Sequence, residues 1–347
     1  MAGEGTTVVN DSLASHSGAP DDPLLAYVPF PFRQTFYPLG FAVEIETNHI
    51  EVLSIAATSW KTDLEAEPRA ALKLKIGVTH TNSTCCPPST QARAQNHLLS
   101  MTADAENFIV CDLRAGFAFG WISTAALHHP SYLRYCILDA AVMTLLCSRH
   151  VTPLHAACVS HSGRGLLLSG QSGAGKSTLA YACARQGWTY TSDDASYLLW
   201  DSDELRVRGN SRHCRFRPSA QQLFPELQGR SMTPRTEGKP SIEVPVDELP
   251  GIIAAEDVPV HALIVLDRHA SSSAGLTRLT AEETLPLLEQ SLFPLPLIRE
   301  LQGPALQRVL QAQLYMLHYR DLEPAIARLR WLVDRMDLVD LVAKEMQ

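Results

Sequence analysis

The stretch GQSGAGKST, residues 170–178, decides how the rest of the chain is read. Its first eight residues fit the phosphate-binding pattern G-x-x-x-x-G-K-[ST], in which glycines let backbone N–H groups turn inward toward an anion. The flanks suit that role. An apolar LLL at 166–168 reads as a strand leading in, and KSTLAYACARQ at 176–186 reads as a helix leading out. Gly187 follows, a residue type favoured just past helix ends. A helix N-terminus adds its positive end to bound phosphate. On this reading Gly170, Gln171, Ser172, Gly173, Ala174, Gly175, Lys176, Ser177 and Thr178 wrap a nucleotide. Lys176 reaches the outer phosphates, and the Ser177 hydroxyl faces Mg²⁺.

Such a loop needs an acid near the γ-phosphate, to help hold metal or to activate the nucleophile. Two places supply one. ALIVLD at 262–267 is an apolar strand ending in Asp267, the usual look of a motor or switch ATPase. Asp193 and Asp194 instead close the strand WTYTS, 188–192, directly after the loop helix. Adjacent carboxylates can divide the work, one toward metal and one as base, because their repulsion raises one pKa. The other parts of an ATPase or GTPase are missing: there is no separate LSGGQ-like segment and no Asn-Lys-x-Asp base reader. Asp267 is followed by Arg268 and His269, so a strand end held by a local ion pair is its plainer reading.

LHAACV at 154–159, the loop at 170–177 and SDD at 192–194 follow one another in an order and spacing that resemble the catalytic domain of HPr kinase/phosphorylase. Looser similarity runs through KPSIE, 239–243, and the strand ending at Asp267, so that the likeness spans about 130–335. The resemblance implies an α/β P-loop domain akin to phosphoenolpyruvate carboxykinase. It implies His155 and Lys176 at the phosphates, Asp193 as catalytic base toward a substrate hydroxyl, and Asp194 with Ser177 on Mg²⁺. It also implies an ATP- and Mg²⁺-dependent kinase whose acceptor is a hydroxyl, serine by expectation, of a peptide or small protein. Two departures stand out. Thr178 replaces the family's usual Glu, losing a metal-site acid, and RVRG at 206–209 only partly echoes its Glu-Ile-Arg-Gly signature. That signature belongs to the reverse reaction, so phosphorylase activity is not expected. The alternatives are a P-loop ATPase using Asp267 and a non-catalytic ATP-sensing regulator.

Around this centre the 347 residues divide into a flexible leader (1–26), a smaller, mostly β N-terminal domain (27–128), the P-loop domain (129–337) and a C-terminal tail (338–347). In the N-terminal part, FAVEIE (41–46) and ALKLKIGV (71–78) read as strands, and FIVC (108–111) with FAFGW (117–121) as a hairpin. Asn48 and Glu51 predict a capping box opening a helix that reaches Trp60, and 79–95 reads as a long exposed loop. Residues 132–149 predict a buried helix despite Asp139, and 308–336 the clearest helical run of the C-terminal region.

The formal charge of -8 argues against nucleic-acid or anionic-lipid partners. No apolar run is long enough for a membrane span. Eight cysteines scattered through a long chain form no disulfide framework and suit a reducing cytoplasm. Against the acidic background, Arg206, Arg208, Arg212, His213, Arg215 and Arg217 cluster. Arg215 and Arg217 are candidates for carboxylate or phosphate recognition on the substrate, and Lys239 for phosphate. The expected partner is a peptide or small-protein substrate, and a homo-oligomer is compatible with the chain.

Overall fold

The computed structural model describes residues 28–62, 72–233, 241–268, 274–290, 292 and 296–345. The expected leader, Lys239 and His269 lie outside the described residues.

The first part is built on β1 (Phe32–Phe36), β2 (Val43–Thr47), α1 (Ile50–Ala57), β3 (Leu72–Thr79), β4 (Gln91–Gln95), β5 (Leu98–Thr102), β6 (Phe108–Asp112) and β7 (Phe117–Ser123). Its strands form one seven-stranded sheet, ordered β1-β2-β3-β7-β6-β5-β4. Alternation in β3 puts Leu72, Leu74 and Ile76 into the core while Lys73 and Lys75 face outward. Gly77 lies opposite Trp121 in register, and a Cβ there would stand 2.3 Å from the indole ring. The expected hairpin is present as β6–β7.

Two expectations for this part fail. α1 ends at Ala57 and begins at Ile50 without a side-chain cap, because the Asn48 side chain is used elsewhere. Its amide donates to the Val78 carbonyl at 3.0 Å and its oxygen accepts from the Val78 N–H at 2.7 Å, tying the helix entrance to β3. The end of the expected 79–95 loop is the strand β4, wholly exposed but paired along its length with β5.

A helical passage joins the two parts: α2 (Thr124–Leu127), α3 (Pro130–Tyr132), a π-helical stretch Leu133–Asp139, then α4 (Ala140–Cys147). Its apolar face, including Leu133, Ile137, Leu138 and Leu145, is buried in the core of the seven-stranded sheet. The wider turn of a π-helix is a feature often found at functional sites. Here it turns Arg134, Tyr135 and Asp139 toward the second part.

The second part carries β8 (Val151–Leu154), β9 (Ala156–His161), β10 (Arg164–Ser169), α5 (Lys176–Arg185), β11 (Thr189–Ser192), β12 (Ser196–Leu199), β13 (Arg206–Gly209), β14 (His213–Phe216), β15 (Ile242–Pro245), β16 (Ile253–Ala254), β17 (Asp257–Asp267), β18 (Gly275–Arg278), α6 (Ala281–Glu289), α7 (Pro296–Leu310), β19 (Gln313–His318) and α8 (Leu322–Glu345). A ten-stranded mixed sheet runs β16-β11-β9-β10-β17-β13-β12-β8, with β19 paired to β17 and β18. α5 and α8 cover one face, α6 and α7 the other, and β14–β15 form a separate ribbon.

The expected strand at 154–159 is broken at His155 into β8 and β9, which pair with different neighbours. The expected helical run 308–336 is interrupted by β19, whose QLYMLH extends the sheet in parallel with β17. Sheet pairing overrides helical propensity there, since Leu314 and Leu317 are buried from an extended strand. α8 continues through the expected tail to Glu345.

Strand direction then explains where the chemistry gathers. β9 is antiparallel to β10 and β11, whereas β17 is parallel to β10. The start of β9 therefore reaches the same sheet edge as the ends of β10, β11, β17 and β19. His155, the glycine-rich loop, Asp193–Asp194, Asp267 and His318 all meet along that edge.

Candidate active site

The loop between β10 and α5 is wound by three glycines with positive φ: Gly170 at 152°, Gly173 at 93° and Gly175 at 96°. Gly175 caps α5, and no other residue type fits. A Cβ there would lie 2.5 Å from the Tyr319 hydroxyl. That hydroxyl donates to the Ala174 carbonyl at 2.7 Å, so the buried tyrosine holds the loop from beneath. Lys176 is itself buried, and its ammonium donates to the carbonyls of Gly170 at 2.8 Å and Gln171 at 3.3 Å. Burial pulls its pKa down, Asp194 pushes it back up, and the charge of Arg217 lowers it further. Arg217 is thus within electrostatic reach of the loop lysine. The first-turn N–H groups of α5 have no acceptor within the helix, which leaves them for an anion in the loop.

The strand after the helix joins this loop directly. The Ser177 hydroxyl donates to the Asp193 carbonyl at 3.1 Å. The two acids then diverge. The Asp193 carboxylate is turned inward, and its Oδ2 accepts the Arg215 N–H at 2.6 Å. Burial pushes its pKa up to about 6, partly opposed by Arg215 and reinforced by Asp194. Asp194 stays half-exposed and pairs with Nδ1 of His155, on the strand break, at 3.3 Å. One buried acid with a raised pKa and one solvated acid beside a histidine are chemically unequal, although they are neighbours in sequence.

Asp267 has a different partner. Its carboxylate meets Nδ1 of His318 at 2.8 Å, its counterpart in the β17–β19 register. The local partner expected at His269 lies outside the described residues, and the partner that the structure describes sits across the strands. The cause is register: parallel strands set Asp267 and His318 side by side.

Arg215 combines two tasks. Its backbone holds Asp193, while its guanidinium, largely buried, pairs with Glu243 at 2.9 Å and lies 5.1 Å from the centre of the Tyr135 ring. Glu243 also receives Arg134 at 3.0 Å and the Tyr135 hydroxyl. Burial works against a charged Glu243, yet Tyr135, Arg215 and Arg134 outweigh it and hold its pKa down to about 2. Asp139 lies deep beside this group, where burial pushes it up to about 6 against the pull of Arg134 and Arg215.

The sequence reading brought His155, Lys176, Ser177, Asp193 and Asp194 to the site, and the structure assembles them. It missed Tyr319, Glu243 and the Arg134–Tyr135–Asp139 face. The signal available for the last was Asp139 itself, a lone carboxylate within the apolar run YCILDAAVMTLL. Tyr319 had no signal, because only the sheet brings residue 319 under residue 174.

The oxygen-rich donors around the loop, the Ser177 hydroxyl and the Asp194 carboxylate, suit a hard divalent ion such as Mg²⁺, which keeps waters and phosphate oxygens as further ligands. Among the described residues no cluster of three His, Cys, Asp or Glu side chains could bind a metal by protein ligands alone. No helix among the described residues is long and apolar enough to cross a membrane.

No family model matches the chain, and no curated protein matches it. Among solved structures, the Hpr(Ser) kinase/phosphatase from Coxiella burnetii is similar at 14% identity and a TM-score of 0.31, covering 55% of this chain and 96% of that one.

Proposed function

We propose that this chain is an ATP- and Mg²⁺-dependent kinase that transfers the γ-phosphoryl group to a hydroxyl of a peptide or small-protein acceptor. The observation that carries the proposal is the pair Ser177–Asp193. The residue after the loop lysine is bonded to the main chain of a buried carboxylate whose pKa is raised to about 6. A base tuned toward neutrality is suited to accept a hydroxyl proton at ordinary pH.

In the reaction, the acceptor hydroxyl gives its proton to Asp193 and its oxygen forms a bond to the γ-phosphorus. The bond from that phosphorus to the β,γ-bridging oxygen breaks, and ADP leaves with the electron pair. The proton on Asp193 then passes to solvent. Lys176, released from the loop carbonyls, would bind the outer phosphates, and the glycine-wound backbone with the first turn of α5 would hold the rest. Ser177 and Asp194 would hold Mg²⁺, which when bound neutralises charge on the phosphates. His155, paired with Asp194, would keep that carboxylate oriented beside the phosphates.

The test is incubation with γ-labelled ATP and hydroxyl-bearing acceptors, comparing wild type with Asp193→Asn and Asp267→Asn. Label on the acceptor that is lost with Asp193→Asn and kept with Asp267→Asn supports the proposal. Release of inorganic phosphate that depends on Asp267 and not on Asp193 favours an ATPase instead.

A further inference from the structure

Next to Asp193 lies a cavity of about 160 Å³ between the two parts of the chain. The large sheet supplies only some of its wall, with Asp193, Tyr197 and the 209–213 turn. The linking helix adds Arg134, Asp139 and Met143. The remainder comes from the seven-stranded part, through the 37–39 turn and the 59–61 loop.

This outer wall is fastened across the cleft. Arg208, held by Asp257 at 3.0 Å, donates to the Leu39 carbonyl at 2.6 Å. Phe41 stacks on His150 with ring centres 4.6 Å apart, and Lys61 pairs with Glu256 at 2.7 Å. Leu39 is kept at a φ of 50°, a left-handed conformation that a leucine adopts only when its surroundings impose it. The wall is thus built in place.

Size and chemistry narrow the occupant. Small-molecule sites usually span roughly 300–1,000 Å³, so this cavity suits a single side-chain-sized group and excludes a folded surface. Asp193 is part of its lining. Trp60, Leu39 and Met143 offer apolar contact. Arg212, on the rim, is exposed and makes no side-chain hydrogen bond or ion pair among the described residues. An unpaired guanidinium beside the entrance favours an anion there.

We propose that the seven-stranded part is the acceptor-recognition unit, and that this cavity takes a hydroxymethyl-sized group flanked by a carboxylate. The proposal rests on the kinase reading of Asp193 and assigns the acceptor side of that site. The same chemistry is offered by a serine beside an acidic residue in an extended peptide and by a free hydroxy acid.

Hydrogen–deuterium exchange on the full chain, with Mg²⁺ and a non-hydrolysable ATP analogue, tests it. One arm adds a library of serine-centred peptides with acidic flanks, the other a mixture of free hydroxy acids. In at least one arm the amides of 37–41 and 59–61 are expected to gain protection. Arg212→Glu is expected to weaken that effect at least tenfold while the thermal shift with Mg·ATP is unchanged. Protection in the peptide arm or the hydroxy-acid arm tells the source. No protection in either arm, protection confined to the large sheet, or indifference to Arg212→Glu overturns the assignment. The two readings separate cleanly. Protection of the turn without phosphate transfer removes the kinase and keeps the pocket, whereas transfer with the turn unprotected keeps the kinase and removes the pocket.

Discussion

Replacing Asp193 by Asn should stabilise the protein at neutral pH while abolishing transfer. The carboxyl is buried, and its pKa lies at about 6 against an ordinary 3.8. At about 1.4 kcal/mol per tenfold change, that difference makes the ionised group cost the folded state about 3 kcal/mol. The sign follows from linkage. A group whose folded pKa is raised favours folding below its unfolded pKa and loses that contribution as pH rises through the folded value. Asn keeps an oxygen to accept the Arg215 N–H, so little is lost in exchange. Urea unfolding of both proteins from pH 4 to pH 8 should therefore give a variant more stable by about 3 kcal/mol at pH 8, with the difference closing toward pH 4. A destabilised variant, or a difference independent of pH, would refute the argument that this carboxylate is held against its own desolvation. Functional residues that oppose stability are a general pattern.

Glu243→Gln should do the reverse: its pKa is held at about 2 rather than 4.5, so the wild type has a stabilisation of about 3 kcal/mol above pH 4.5 that fades toward pH 2; urea melts at pH 7 and pH 3 check it. Lys176→Ala should remove most of the Mg·ATP thermal shift, which for wild type at about 100 times Kd corresponds to roughly 2.7 kcal/mol. Gly175→Ala, at φ 96° and 2.5 Å from the Tyr319 hydroxyl, should cost about 1–3 kcal/mol and weaken nucleotide binding, read by thermal denaturation and calorimetry. The transfer rate should rise with pH through about 6 as Asp193 loses its proton, and a flat pH–rate profile over pH 5–7 would count against its role as base.

Much of the candidate site was legible because its parts lie close together in sequence. The loop, its helix and the Asp pair fall within 170–194, where turn chemistry, helix capping and strand length act locally. His155 was legible only through resemblance, since a continuous strand was expected and the structure breaks it at that residue. The parts that escaped depend on distant contacts. Tyr319 supports Ala174 across 145 residues, and Glu243 joins Tyr135 across 108. The β19 strand was read as helix because its apolar residues fit either period, and only pairing with β17 decides between them. The N-terminal part carried no chemical signal at all. Its relevance comes from Leu39 and Lys61 meeting the large sheet beside Asp193.

The most direct measurement follows the γ-phosphate itself. Wild type, Asp193→Asn and Asp267→Asn are each incubated with γ-labelled ATP, Mg²⁺ and the acidic serine-peptide library, and the label is counted as phosphopeptide and as inorganic phosphate. Phosphopeptide is expected from wild type and from Asp267→Asn, with little free phosphate, and no transfer from Asp193→Asn. Label released only as inorganic phosphate, at a rate unchanged by Asp193→Asn and lost with Asp267→Asn, would contradict the kinase reading.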